Sequence, residues 1–218
     1  MVRDHQREEE HKMAILQKKC RICRRERKKL FLKGGRCFSP KCPIERKGAV
    51  PPGIHGVKSG VRLSSFGIQL REKQKTKRYY GIGEEQLKNY LREAAKAKGR
   101  TDDNLMSLLE RRLDNVIYRL GLAPSRRSAR QLTVHGLVKV NGKKVTFPAF
   151  KIKTGDIIEL LSKALKIKYI EEWLGRKEGE IPDWLKREGP VGKAVGLPEE
   201  KHFPTDLDVR LVIEFYSR

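Results

Sequence analysis

Apolar residues in the first two thirds of the chain recur at helical spacing, and after residue 136 they alternate with basic ones, so the pattern predicts helices first and a small sheet second. Ser64 or Ser65 opens a predicted helix through FGIQLREKQKTKRYYG, whose apolar set is thin: Phe66, Leu70 and Tyr79 or Tyr80. A helix that polar needs a ligand or a neighbour to hold it. GEEQLKNYLREAAKAKG then sets Leu87, Tyr90, Leu91, Ala94 and Ala95 on one face, with Gly83 as N-cap and Gly99 past the end. Residues 102–121 carry Leu105, Leu108, Leu109, Leu113, Val116, Ile117 and Leu120 on one broad stripe, which predicts a single core helix from Asp102 or Asp103 to Gly121. Ser125 caps the next helix, SRRSARQLTVHG. There Ala129, Leu132 and Val134 or His135 are expected to pack inward, while Arg126, Arg127 and Arg130 project from the first turn and a half.

The run LVKVNGKKVTF alternates around Asn141-Gly142, a strong hairpin signal, and DIIELL reads as a strand after the Thr154-Gly155 turn. LVIEFY near the C-terminus is apolar with poor alternation and is predicted to be a mostly buried strand. AVPPGIHGVKSG has no periodicity and reads as a linker or loop.

Charge changes this picture. The chain has 218 residues and a formal net charge of +23, far more than solubility needs, which points to a polyanionic partner. Residues 12–47 hold 14 basic against 2 acidic side chains and residues 111–168 hold 14 against 3, whereas residues 1–11 and 169–218 are net acidic. Two separated cationic blocks therefore define a binding surface better than a uniform coat would. Arginines in the first turn of a helix reinforce the unsatisfied N–H groups there, and with the hairpin lysines alongside they would form a basic ledge suited to an RNA backbone. The apolar runs are too short to span a membrane and the acidic start does not resemble a targeting signal, so a cytoplasmic chain with no membrane contact is expected.

All four cysteines fall in one short stretch, as Cys20-Arg-Ile-Cys23 and Cys37-Phe-Ser-Pro-Lys-Cys42. Two close pairs supply the four soft ligands of a tetrahedral zinc site, and Gly34-Gly35 offers the turn that folds the second pair onto the first. Few bulky apolar residues surround them, so a structural Zn²⁺ would stabilise the region; an iron–sulfur cluster is the less favoured occupant. Four protein ligands leave no open position for catalysis. The five histidines are scattered, no Walker loop or GxGxxG is present, and no small-molecule substrate or catalytic residue is expected.

The stretch RLDNVIYRLGLAPSRRSARQLTVHGLVKVNGKKV resembles the S-four domain, an RNA-binding module of ribosomal proteins, pseudouridine synthases and tyrosyl-tRNA synthetases. The flanks CRICRRE, FLKGGRCFSPKC, PPGIHG, QLREKQKTKRYYGI and LVIEFYSR extend the likeness over nearly the whole chain to the family of the fourth protein of the bacterial small ribosomal subunit. That resemblance implies a structural constituent of the 30S subunit that binds 16S rRNA first, at the five-way junction of the 5′ domain. It also implies contact with the fifth small-subunit protein, a position near the mRNA entrance channel and an influence on decoding accuracy. The alternative is an RNA-modifying enzyme or ribosome-associated factor carrying the module as an appendage.

The expected architecture is α+β in three parts. A Cys₄ metal knuckle occupies 1–47, a basic helical rRNA-binding domain 48–107 with 188–218 packing back on it, and the S-four domain with a following helical segment 108–187. The rRNA contacts expected are Arg21, Arg24, Arg25 and Lys41 beside the cysteines, and Gly53, His55, Lys58 and Arg62 in the linker. To these are added Arg71, Lys73, Lys75, Lys77 and Arg78 on the polar helix, and Arg111, Arg126, Arg127, Arg130, Lys139, Lys143 and Lys144 in the module.

Overall fold

A computed structural model describes residues 18–56, 62–175 and 181–217; the acidic leader 1–11 and Lys58 lie outside them. The elements in chain order are α1 (Lys19–Arg25), a 3₁₀ turn (Gly34–Phe38), α2 (Pro43–Lys47), α3 (Ser65–Tyr80), α4 (Glu84–Lys96), α5 (Thr101–Glu110), α6 (Leu113–Arg119) and α7 (Arg126–Val134). There follow β1 (Val138–Val140), β2 (Lys143–Lys144), β3 (Ile157–Leu160), α8 (Ser162–Leu165), α9 (Lys168–Leu174), β4 (Leu185–Glu188), β5 (Val191–Ala194) and α10 (Val209–Tyr216). The protein is α+β, with one five-stranded antiparallel sheet in the order β2-β1-β3-β5-β4.

Two apolar cores divide these elements. The first is built from Tyr80, Leu87, Ala94, Leu105 and Leu109 of α3 to α5 with Val212 of α10, all almost fully buried. The second joins Leu113, Val116, Ile117 and Leu120 of α6 to Ala129 and Leu132 of α7, Val138 and Ile158 of the sheet, and Trp184. The stripe that predicted one helix over 102–121 is divided between the two cores, and the helix is broken where it passes from one to the other. Arg112 sits in extended backbone (φ −63°, ψ 137°) and bridges Lys151. Its fully buried guanidinium forks onto Asp114 at 3.1 and 2.8 Å and donates to the Tyr90 hydroxyl at 2.7 Å. A continuous helix would carry the second half of the stripe past its core; the break redirects it, and the buried charge is paired and hydrogen-bonded as its desolvation demands.

Ser64 caps α3 by accepting from the Gly67 N–H at 3.2 Å, and Ser125 caps α7 through Ser128 at the same distance. The hairpin turn is Asn141-Gly142 with both residues at positive φ (50° and 74°) and Val140 paired with Lys143, the geometry that sequence pair selects. On α7, Val134 and His135 are both exposed and Thr133 is buried in their place, because the inward face follows Ala129, Leu132 and Thr133.

LVIEFY is a helix rather than the expected strand. Asp208 accepts from the N–H groups of Arg210 (3.1 Å) and Leu211 (3.4 Å), which starts α10 and puts Val209 and Val212 on its buried side. This helix packs along α3 and is the neighbour that the polar α3 required. The β4–β5 hairpin extends the same sheet, with Ile158 opposite Gly192.

Candidate nucleic-acid interface

The cationic side chains fall into two groups, and the division follows their carboxylate neighbours. On α3, Lys73 and Lys77 converge on Glu84 at 2.9 and 2.7 Å, Lys75 pairs with Glu72 at 2.5 Å, and Arg71 and Arg78 both reach the buried Glu26. Lys73 and Lys75 are under a tenth exposed, and the Lys73 ammonium lies 4.1 Å from the Phe215 ring centre. Burial alone would raise the Glu84 carboxyl, but hydrogen bonds from Lys77, Tyr216 and Lys73 hold it down at about 2. Burial pushes the Glu26 carboxyl up despite Arg71 and Arg78. The cations of α3 expected at the RNA surface are thus engaged with the protein's own carboxylates.

Arg126 is also turned inward. Its guanidinium stacks between Tyr79 (3.8 Å) and Tyr118 (4.4 Å) and its Nε donates to Asn115 at 2.7 Å, so it joins the two cores instead of projecting from α7. A desolvated cation–π contact of this kind contributes about 2 kcal/mol. Beside it lies a network that sequence reading did not find. Glu110, fully buried, accepts from Arg119 at 2.9 and 3.0 Å, from Tyr80 at 2.6 Å and from Asn115 at 2.8 Å. Nothing in the local pattern around Glu110 separates it from a surface carboxylate.

What remains outward is concentrated elsewhere. Residues 115–155 contain nine Lys and Arg and no Asp or Glu. Arg127, Lys143 and Lys144 are exposed and Lys139 is half-buried, and none of these four has an ion-pair partner among the described residues. Arg130 donates to the Gly81 carbonyl at 3.2 Å and Arg111 to that of Ile152 at 2.9 Å. Arg130 also stands 3.7 Å from Asp114.

The N-terminal block meets this face. Gly34 adopts φ +57°, and a Cβ there would stand 2.8 Å from the Pro124 Cβ, so only glycine lets the cysteine region approach the loop before α7. Burial and, less strongly, the Arg127 charge lower the Lys19 ammonium. Lys18, Lys19, Arg21, Arg24 and Lys33 line a shallow basic cleft beside the cysteines. Arg24 spends its donors on the Val50 and Pro51 carbonyls (2.8 and 3.1 Å), tying down the linker, while Arg21, Arg25, Lys41, Gly53, His55 and Arg62 are exposed.

Cys20, Cys23, Cys37 and Cys42 line one small pocket and are all free thiols. Burial raises the Cys23 and Cys37 thiols, opposed in each case by a backbone hydrogen bond; the Lys33 N–H donates to the Cys37 sulfur at 3.3 Å. Among the described residues, no three His, Cys, Asp or Glu side chains stand in an arrangement that could hold a metal ion. Among them also, no helix is long and apolar enough to cross a membrane.

Residues 15–110 match the family model described as the ribosomal protein S4/S9 N-terminal domain, and residues 111–158 match that of the S4 domain. The junction between the two matches falls at the break between α5 and α6. The curated relatives include small ribosomal subunit protein uS4 of Thermodesulfovibrio yellowstonii, 50% identical over 202 residues that cover 91% of this chain and 96% of the relative. Those of Dictyoglomus turgidum and Thermus thermophilus are each 48% identical over the same span and the same shares.

Proposed function

The chain belongs to the family of small ribosomal subunit protein uS4, and from that premise we infer that it is a structural constituent of the small ribosomal subunit that works by binding rRNA. The observation that supports this reading is the acid-free stretch 115–155, whose loop before α7 meets the cationic cysteine region where Gly34 passes Pro124. Such a surface follows the phosphate backbone of a folded RNA and selects it by shape. The contacts proposed are Arg21, Arg25, Lys41, Gly53, His55, Arg62, Arg127, Lys139, Lys143 and Lys144, with Arg111 and Arg130 at the margin. The finer placement follows the family resemblance: the five-way junction of the 16S 5′ domain as primary site, the fifth small-subunit protein as neighbour, a position near the entering mRNA, and no turnover of RNA.

We also propose Cys20, Cys23, Cys37 and Cys42 as ligands of a structural Zn²⁺, in preference to an iron–sulfur cluster. Four sulfurs around one pocket, with a backbone N–H already donating to Cys37, make a donor set of the right chemistry, although the thiols as placed are not closed into a ligand set. When bound, the ion would cross-link α1 to the segment after Gly34 and offset thiolate charge; it would supply no catalysis.

Titrating the purified chain against a transcript of the 16S rRNA 5′ domain and against random RNA of equal length, at physiological salt, tests the first reading. Tighter binding to the ribosomal transcript is expected, and equal affinity overturns it. Metal analysis of the same sample should return about one zinc per chain, and chelation should open residues 18–47 to protease while the module resists. A metal-free sample with the same protection would remove the zinc.

A further inference from the structure

Three aromatic rings stand half or more exposed, and they differ in what holds them. Phe38 stacks on Phe31 with centres 5.1 Å apart and leans on Trp173, and Phe66 packs on Phe215 at 5.5 Å. Phe147, 73% exposed, touches no other ring and no cation among the described residues. A large ring held mostly in water costs solvation free energy, so its mounting is informative.

The mounting is rigid. Before the ring, the Val145 N–H donates to the Val138 carbonyl at 3.1 Å. After it, the Pro148 and Phe150 carbonyls accept from the Asp114 and Leu113 N–H groups at 3.3 and 2.9 Å, and the Phe150 N–H returns to the Phe147 carbonyl at 3.0 Å. The following proline further restricts the Phe147 backbone to extended conformations. The loop is therefore pinned to the start of α6 on one side and to β1 on the other, with only Thr146 and Phe147 between the anchors.

The chain on both sides of the ring is basic. Phe147 lies within the acid-free stretch 115–155, three residues beyond Lys144, whose strand partner is Lys139. Glu159 stands across the strand from Lys139, but Lys143 and Lys144 are exposed with no ion-pair partner among the described residues, so an apolar protein partner would bury uncompensated charge here. A polyanion that also carries flat π-faces satisfies ring and lysines together, because its phosphates meet the lysines and a base covers the ring.

We propose that Phe147 is a stacking platform for one unpaired nucleobase of the bound RNA, with Lys139, Lys143 and Lys144 holding the flanking phosphates. The platform rests on the RNA-binding reading above and adds to it a discrimination of unpaired over helical RNA that backbone contacts alone do not provide.

The test compares the full chain with its Phe147→Ala, Phe147→Leu and Phe147→Trp variants in binding a 16S rRNA transcript over a salt series. The ring contributes nothing to either core, so thermal melts should coincide. Alanine and leucine should each weaken binding by about 5- to 100-fold, the range of base–aromatic stacking, with tryptophan within about threefold of the parent. The slope of affinity against salt should stay the same in all four, since no charge is removed. If the parent binds the transcript and leucine serves as well as phenylalanine, or alanine costs nothing, the platform falls and the RNA reading stands. If the parent does not prefer the transcript to random RNA, both fall together.

Discussion

Helix α3 and the edge formed by α7 with the β1–β2 hairpin look alike in sequence, each a crowd of Lys and Arg around a few apolar residues, yet the fold uses them in opposite ways. The five cations of α3 face Glu26, Glu72 and Glu84, contributed by the residue that ends α1, by α3 itself and by the start of α4. They hold the helical half together. At the module edge fewer acids come within reach: Arg130 stands 3.7 Å from Asp114 and Lys139 lies opposite Glu159, but Arg127, Lys143 and Lys144 remain exposed with no ion-pair partner among the described residues. Positive charge in a sequence is thus a statement about composition, and whether it reaches a partner depends on where the protein's own acids are folded.

The largest effect should come from the joint between the two halves. Glu110→Ala leaves the half-buried Arg119 and the buried Tyr80 hydroxyl without their shared carboxylate, and a loss of about 3 kcal/mol is expected from the shift in urea midpoint. A loss below about 1 kcal/mol would mean that the network is hydrated and the joint loose.

A smaller and more discriminating effect separates the two cationic groups. Replacing Lys139, Lys143 and Lys144 together by Gln should weaken rRNA binding and lower its salt slope by roughly one for each phosphate no longer neutralised, with the melt unchanged. The matched replacement of Lys73, Lys75 and Lys77 should leave the slope alone and lower the melting temperature. Reversal of the two results would overturn the comparison.

The smallest effect is set by acid. The Glu84 carboxyl is held at about 2 in the folded protein against an ordinary value of 4.5, so the folded state binds its proton less readily than the unfolded chain does. Its contribution to stability is therefore complete above about pH 4.5 and is lost as pH falls from there towards about 2. Urea midpoints taken at pH 5 and pH 3 should differ more for the parent than for Glu84→Gln, in which that proton linkage is gone.

Several features were legible because their causes are local. Ser64 and Ser125 cap their helices, Asn141-Gly142 makes the hairpin turn, and each needs only residues within a few positions to do so. The C-terminal helix was legible too once Asp208 is read as a cap, because Val209, Val212 and Tyr216 then follow helical spacing; the six-residue window LVIEFY hid that period. The apolar stripe over 102–121 correctly marked core positions but could not show that they serve two cores, since the break at Arg112 depends on Tyr90 and Lys151, far away in the chain.

The sequence by itself determined the size of the positive charge, the positions of its two main blocks, the four thiols in two close pairs and the local starts and stops of most elements. Only the tertiary structure decided which cations are held inside, as Lys73, Lys75 and Arg126 are, and which are left at the surface. The reason is physical: a helix period or a cap is set by neighbours in the chain, whereas the desolvation of a charge and the carboxylate that compensates it are set by whatever the rest of the fold brings within a few ångströms.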